Sequence, residues 1–289
     1  MSISRKVLAA AAVAALFTST GVIPADARPK NQARAVAQPD WLEQNIDNPK
    51  VRIIEVSTEP GIYERGHIKN SIKFVWHTDL VDTVNRDIIS QAKFTALVQK
   101  AGIDEDTTVV LYGDKNNWFA AWGAWIFNIY GQKDVRVLDG GRVKWEKDGR
   151  PLTTAVPTLP AGNFVATKAD KALRATLIND VLPVAKKRVK ADLIDIRGAD
   201  EYNGKIFAAP GFQELSVRAG HIPGAINVPW GSNVNADGTF KTVAELKKLY
   251  ADKGVDGKQN IITYCRIGER SSLTWFVLSE ILGYNVKNY

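Results

Sequence analysis

The segment NIITYCRIGERSS (residues 260–272) changes character within a few positions. It opens with an apolar run rich in β-branched side chains, which is typical of a buried parallel strand. After the basic stretch, the apolar pattern predicts a helix from about Ser271 to Leu282, and Gly283 provides a C-terminal stop. Between strand and helix lies Cys265, the single cysteine of the chain. The thiol is therefore expected at the carboxyl end of a strand, where parallel sheets carry functional groups.

Short motifs around this segment occur twice in the chain and in the same order. The matching pairs are IIEVS (53–57) with LIDIR (193–197), GHI (66–68) with GHI (220–222), TVVLY (108–112) with NIITY (260–264), and Trp122 with Trp275. A repeat of this kind indicates two related domains. The spacing lengthens in the second half because of a Gly-, Ala- and Pro-rich insertion from Asn203 to Ala219, which predicts a loop.

Each half alternates short β-branched runs with helical patterns. We predict strands at 51–56, 109–112 and 135–138, and helices at 91–101 and 118–130. Such alternation indicates the α/β class, here a tandem repeat of two domains, each a parallel sheet flanked by helices. The segment 149–162 has three prolines and no periodicity, so we predict a linker there, between a first domain at 36–150 and a second at 163–289.

The two halves differ at two places. The first half has YGDKNNW (112–118) where the second has Cys265, so we predict an inactive first domain and a catalytic second one. After its VRVL strand the first half continues with DGGRVKWE (139–146), a predicted turn and helix, whereas the second reaches NVKNY (285–289) and stops. We therefore expect a truncated or fragmentary second domain, or one weakened by an exposed apolar patch.

Residues 1–27 have the pattern of an export signal. Arg5 and Lys6 precede an apolar run at 7–17, and ADA (25–27) fits the small-x-small cleavage rule. The run is shorter than the roughly 20 residues that span a bilayer, although an uncleaved membrane anchor is the alternative. We expect a mature protein that is soluble, periplasmic or secreted, and without membrane contact. One cysteine cannot form an internal disulfide, so its presence in an exported chain indicates chemistry.

The composition argues against several classes of function. The chain has 38 basic and 31 acidic residues, and the charges are scattered apart from a short run at 186–188. We interpret that run as a solvated helix face and predict no nucleic-acid partner. Its three histidines lie far apart, and no cluster of Cys, His and carboxylates has metal-ligand spacing, so no metal is predicted. Both nucleotide-binding fingerprints are absent, and no cofactor is expected. The sequence leaves the oligomeric state open.

The residues around Cys265 favour its thiolate form. Arg266 and Arg270 bring fixed positive charge, and the N–H groups of the loop and of the following helix start attract anions. We therefore expect a nucleophilic thiolate near neutral pH. The alternative is a buried structural cysteine, the usual state of an unpaired one. Two arginines and Glu269 within five residues make poor surroundings for an inert buried thiol.

The loop CRIGERS (265–271) resembles the active-site loop of rhodaneses, the thiosulfate sulfurtransferases. GHIPGA (220–225) is similar to their other shared motif, and WFAAW (118–122) and DGGR (139–142) are similar to the inactive first domain of two-domain members. The resemblance covers about residues 36–289. It implies a double displacement, in which the thiolate takes the outer sulfur of thiosulfate, sulfite leaves, and the persulfide passes its sulfur to cyanide or another thiophilic acceptor.

The resemblance also implies roles for the loop residues. Cys265 would be the nucleophile, and Arg266 and Arg270 would hold the anionic donor and stabilise the departing charge. Gly268 and Ser271 would complete the substrate-binding loop. The expected partners are thus a small anionic sulfur donor and a thiophilic acceptor.

Arg197 follows a predicted strand and matches a family arginine that reaches the substrate pocket, although an ion pair with Asp195 or Asp200 is the alternative. Trp76 and Trp118 are candidates for the pocket wall, but tryptophans more often pack in cores.

The histidines of the repeated GHI motif are candidates for a catalytic Cys–His pair. Because the motif also occurs in the half without a cysteine, we predict that His67 and His221 are structural and bonded to backbone.

Three other functions remain open from the sequence. A basic loop favours thiosulfate over 3-mercaptopyruvate, which is the alternative donor. A cysteine phosphatase or arsenate reductase would need Cys-x5-Arg, whereas Cys265 and Arg270 form Cys-x4-Arg. A sulfur carrier with little turnover would form the same persulfide but discharge it slowly.

Overall fold

The computed structural model describes residues 32–208 and 218–289. The predicted export signal at residues 1–27 lies outside the described residues, as does most of the predicted loop between Asn203 and Ala219. Within the described part of the chain, no helix is both long and apolar enough to cross a membrane.

The first half contains a parallel sheet of five strands and a short antiparallel hairpin. Its strands are β1 Val36–Ala37, β2 Val51–Glu55, β3 Ser71–Lys73, β4 Val81–Asp82, β5 Asp87–Ile88, β6 Thr108–Tyr112 and β7 Asp134–Leu138. The sheet has the spatial order β1-β7-β6-β2-β3, and β4 and β5 form the hairpin. The central strands β2 and β6 are almost wholly buried, as expected of a sheet covered on both faces.

The second half repeats this arrangement with four parallel strands, β8 Asp192–Asp195, β9 Ile226–Asn227, β10 Ile261–Tyr264 and β11 Val286–Asn288. Their spatial order is β11-β10-β8-β9. Arg174 forms a parallel bridge with Asn288 on the outer edge of β11, in the place that β1 takes beside β7. The fold is therefore two related α/β domains, as the repeat predicts.

Helices cover the sheets and connect their strands. The α-helices are α1 Gln32–Ala35, α2 Pro39–Gln44, α3 Ile62–Arg65, α4 Trp76–Asp79, α5 Gln91–Lys100, α6 Trp118–Ile129, α7 Gly141–Lys147, α8 Leu182–Ala185, α9 Ala199–Tyr202, α10 Val243–Ala251 and α11 Ser271–Phe276. Short 3₁₀ helices occupy Lys115–Asn117 and Trp230–Asn233, and π-helical turns occupy Leu177–Val181 and Val277–Ile281.

The predicted strands and helices are confirmed, with ends that differ by one or two residues. The helix predicted from Ser271 begins there as α11 and continues as the π-helical turn Val277–Ile281. Gly283 follows with a φ of 75°, a left-handed conformation that glycine adopts without steric cost and that ends helices.

The two domains share one apolar interior. Helix α6 of the first domain packs against α11 of the second, and the described side chains of both are almost entirely buried. Residues of both domains, such as Trp125 and Trp275, belong to the same buried cluster. Since α11 starts directly after the Cys265 loop, this packing places the loop at the boundary between the domains.

The predicted linker is bound firmly to the first domain. Residues 149–162 contain no helix or strand, yet Gly162 donates its N–H to the carbonyl of Gln99 at 2.8 Å. Just beyond the predicted linker, Phe164 donates its N–H to the carbonyl of Ile103 at 3.0 Å. A Cβ atom on Gly162 would lie 2.2 Å from the Ile103 carbonyl oxygen, so the two segments are in close backbone contact. Phe164 is buried in the core.

Candidate active site

The loop that begins at Cys265 folds back so that its backbone faces the sulfur atom of this cysteine. Cys265 directly follows β10, and the backbone N–H of Gly268 points at its Sγ at 3.2 Å. Gly268 has a φ of 87°, and a Cβ atom there would lie 3.3 Å from the carbonyl oxygen of Tyr289. Glycine therefore meets both the backbone angle and the space that this turn requires. An N–H directed at a sulfur atom stabilises its anionic form.

Cys265 lies in the wall of a cavity of about 650 Å³ between the two domains. The second domain contributes residues 265–269, and the first contributes side chains that include Trp76, Trp122 and Arg86. The thiol is half-buried, so a small reactant can reach it while part of its surroundings excludes water. Cys265, Arg266 and Gly268 are thus brought together at the cavity, as the sequence predicts.

The guanidinium of Arg270 is engaged by a carboxylate. Its two terminal nitrogens donate to the buried Glu201 at 2.9 and 3.1 Å, and its carbon lies 6.0 Å from the ring centre of Trp118. Burial disfavours the cation, but the bonds to Glu201 and the charge of Cys265 outweigh burial and raise the pKa of Arg270. Arg270 is absent from the cavity wall. It supplies fixed charge near the thiol, and direct contact with substrate stays a prediction.

Arg197 also forms an internal ion pair, the alternative considered for it. It lies 2.6 Å from the fully buried Asp195 and donates to the carbonyl of Gly220 at 2.7 Å. Asp200 pairs instead with the exposed Lys205. Since Arg197 is not part of the cavity wall, its contact with substrate also stays a prediction.

The two repeated histidines are structural, as predicted. His221 contacts the carbonyl of Tyr202 through Nδ1 at 2.8 Å and stacks on the Tyr202 ring. His67 makes the same two contacts with Tyr63 in the first domain.

Trp76 lines the cavity, whereas Trp118 packs edge-on against Trp230 with ring centres 4.4 Å apart.

Asn288 ties the cysteine loop to strand β11, and sequence reasoning missed it. Its side-chain N–H donates to the carbonyl of Gly268 at 2.8 Å, and its oxygen lies 2.6 Å from the hydroxyl of Ser271. Both side chains are buried, so Ser271 supports the loop from within rather than lining the cavity. Thr263 completes the group through a hydroxyl 3.2 Å from the Asn288 oxygen. The one available signal was a polar residue in an otherwise apolar closing strand.

Glu269 is the second residue that the sequence analysis did not single out as functional. It lines the cavity in the same loop as the thiol. Burial raises its pKa to about 7, although the positive charges of Arg266, Arg270 and Arg86 act in the opposite direction. The carboxyl group therefore changes charge near neutral pH, within the site itself.

No group of three or more His, Cys, Asp or Glu side chains in residues 32–208 and 218–289 is arranged to hold a metal ion. Within those ranges the chemistry of the site rests on one thiol, several guanidinium groups and backbone N–H donors.

Comparison with known families identifies the class of protein. The model of the rhodanese-like domain matches twice, at residues 38–148 and 182–289, and this chain belongs to that family. A relative in Mycolicibacterium smegmatis, named "Putative thiosulfate sulfurtransferase", is 48% identical over 86% of this chain and 90% of its own length. The sulfur carrier protein TtuD of Thermus thermophilus is also 48% identical, over 86% of this chain and 89% of its own.

A solved structure shows the same two-domain fold. SseA from Escherichia coli, described as a 3-mercaptopyruvate sulfotransferase with the rhodanese fold, superposes with a TM-score of 0.76 at 28% identity. The match covers 88% of this chain and 96% of SseA.

Replacing Asn288 by Ala should slow the reaction of Cys265 with iodoacetamide at neutral pH. The loop would no longer be held so that the Gly268 N–H faces the sulfur, and losing one hydrogen bond to a charged group corresponds to a decrease of about tenfold. Asn285→Ala is the matched control, because Asn285 is exposed and its side chain bonds to Asn260 instead. Equal alkylation rates in the wild type and Asn288→Ala would contradict the assigned role.

Proposed function

We propose that this protein is a thiosulfate sulfurtransferase that works through a persulfide on Cys265. The observation that carries the proposal is the Gly268 N–H directed at the Cys265 sulfur, in a cavity that also contains Arg266. A thiolate held by a backbone donor and near a guanidinium is suited to attack an anionic sulfur compound. Membership of the rhodanese-like family and relatives that bear this activity in their names support the assignment.

The first half of the reaction loads the enzyme. The Cys265 thiolate attacks the outer sulfur of thiosulfate, the sulfur–sulfur bond of thiosulfate breaks, and its electron pair leaves with sulfite. Arg266 in the cavity wall and the cation of Arg270 behind it oppose the negative charge of donor and leaving group. The outer sulfur of the new persulfide lies in the cavity.

The second half of the reaction transfers the sulfur atom from the enzyme to the acceptor. A nucleophilic acceptor such as cyanide attacks the outer sulfur of the persulfide, and the electron pair of the broken bond returns to Cys265 as a thiolate. The Gly268 N–H stabilises this returning charge at the position where it appears. The same donor thus serves both the attacking and the leaving role of the cysteine.

The arrangement of Arg270 disfavours a phosphatase. Such an enzyme needs its loop arginine to bind the oxyanion of the substrate, and both terminal nitrogens of Arg270 are instead bonded to Glu201. Withdrawing the guanidinium would leave the buried Glu201 charge without its partner, at a cost of roughly 3–5 kcal/mol.

Mass spectrometry of the intact protein tests the proposal directly. Treatment with thiosulfate should add the mass of one sulfur atom to the wild type and none to Cys265→Ser. Adding cyanide should remove that mass and release thiocyanate over many turnovers. Stoichiometric loading with little turnover would indicate a sulfur carrier, faster turnover with 3-mercaptopyruvate would indicate the other donor, and turnover by Cys265→Ser would refute the mechanism.

Thiosulfate binding should weaken as the pH rises through the range where Glu269 ionises. Because burial raises the pKa of Glu269 to about 7, its carboxyl group is neutral below that pH and anionic above it. Between about pH 6 and about pH 8 we expect the KM for thiosulfate to increase several-fold, since a like charge in the cavity repels the donor. In Glu269→Gln, the KM for thiosulfate should be lower and should change less with pH. An unchanged profile in this variant would assign the pH dependence to another group.

We also propose that the protein is exported, because residues 1–27 combine a charged start, an apolar run and a small-x-small site. N-terminal sequencing of the protein recovered outside the cytoplasm should give Arg28 as the first residue. Recovery of the full-length chain from the cytoplasm alone would contradict export.

A further inference from the structure

A cation from the first domain lines the cavity of the second. Arg86 lies in the β4–β5 hairpin, in the cavity wall that also contains Cys265. Glu269 of the second domain lines the same cavity, and the charge of Arg86 opposes the rise in the pKa of Glu269 that burial causes. Arg86 is exposed, and within residues 32–208 and 218–289 its side chain makes no hydrogen bond or ion pair. It is therefore available to an anionic ligand.

The hairpin that carries Arg86 is held in place. Asp82 accepts the N–H groups of Val84 and Asn85 at 3.0 and 3.1 Å, which fixes the turn. Asp87 pairs with Arg174 at 2.5 Å and so connects the hairpin to the segment beside β11. Arg86 itself has a φ of 53°, a left-handed conformation that costs about 1 kcal/mol or more outside glycine. The surrounding contacts maintain this conformation.

The cavity is larger than the small reactants require. Thiosulfate and cyanide contain only a few atoms, whereas about 650 Å³ lies within the range of roughly 300–1,000 Å³ that is typical of sites for organic ligands. Trp76, Trp122 and Trp125 form an apolar part of its wall. The cavity can therefore hold an organic molecule whose apolar part contacts the tryptophans while one end reaches the thiol.

We propose that the sulfur acceptor is an organic thiol carrying an anionic group, such as a carboxylate, and that Arg86 binds this group. The inference rests on the proposed sulfur transfer through Cys265. The other cations are less suited to this role, because Arg174 is paired with Asp87 and Arg266 adjoins the nucleophile, where the donor binds. Arg86 is thus a specificity residue that the first domain contributes to the second.

The transfer step is balanced without any further reactant. The acceptor thiolate attacks the outer sulfur of the Cys265 persulfide and forms a new sulfur–sulfur bond. The old bond breaks, its electron pair returns to Cys265 as a thiolate, and the acceptor leaves as a persulfide. The proton of the acceptor thiol ends on the terminal sulfur of that product.

Discharge of the preformed persulfide to two thiols tests this assignment. The probes are mercaptosuccinate, which carries two carboxylates, and the neutral 2-mercaptoethanol. In Arg86→Gln, the ratio of kcat/KM for mercaptosuccinate over 2-mercaptoethanol should fall about tenfold, as expected for the loss of one charge-assisted hydrogen bond. Arg86→Lys should restore part of the preference. Arg65→Gln is the control, because Arg65 is an exposed first-domain arginine that pairs with Glu59.

The outcomes separate this inference from the proposed function. If the persulfide forms and the ratio in Arg86→Gln equals that of the wild type, the assignment of Arg86 is wrong and sulfur transfer stands. If no persulfide forms in the wild type, the proposed function itself fails. A matching fall in Arg65→Gln would overturn the assignment, because it would show a general effect of surface charge. Thermal unfolding of each variant confirms that it is folded.

Discussion

The hydrogen bonds of Asn288 are the contacts on which the arrangement of the site depends. The side chain holds Gly268 and Ser271, and its backbone accepts from Ala175 and donates to Leu173 in the segment that leads into the second domain. The position of the nucleophilic loop and the course of the interdomain segment are therefore fixed by the same buried residue. Because a buried amide left unpaired costs about 1–3 kcal/mol, the loss of one of these contacts also weakens the others.

Both domains contain an arginine with the same two contacts, but the arginine comes from a different part of the chain in each domain. In the first domain, Arg142 pairs with the buried Glu55 and donates to the carbonyl before His67. In the second, Arg197 pairs with the buried Asp195 and donates to the equivalent carbonyl. Arg142 lies in helix α7, after the last strand of its domain, whereas Arg197 follows β8, the first strand of the second domain. The guanidinium group therefore occupies the same place in both domains, although the two arginines are not at matching positions of the repeat.

The sequence predicts the sheets well, because strand and helix patterns are local and the repeat tests each of them twice. It also places Cys265 correctly, since the end of a strand is a local feature. It does not predict that the Arg270 side chain points at Glu201, because the two residues lie far apart in the chain and only the folded structure brings them together. Asn288 and Arg86 were missed for the same reason. One acts across strands and the other across domains, and neither belongs to a motif.

The electrostatics of the cavity depend on which of its charged side chains have a bonded partner of opposite charge. Arg270 is paired with the buried carboxylate of Glu201, and these bonds contribute to the raised pKa of Arg270, so its positive charge persists near the thiol. Glu269 has no such bonded partner among the described residues, and burial raises its pKa to about 7 against the opposing charges of the nearby arginines. Arg270 therefore contributes a fixed positive charge near Cys265, while the ionisation of Glu269 changes the affinity of the cavity for anions. Because the donor and the sulfite product are both anions, ionisation of Glu269 weakens the binding of both: it raises the KM for thiosulfate and it also favours the release of sulfite.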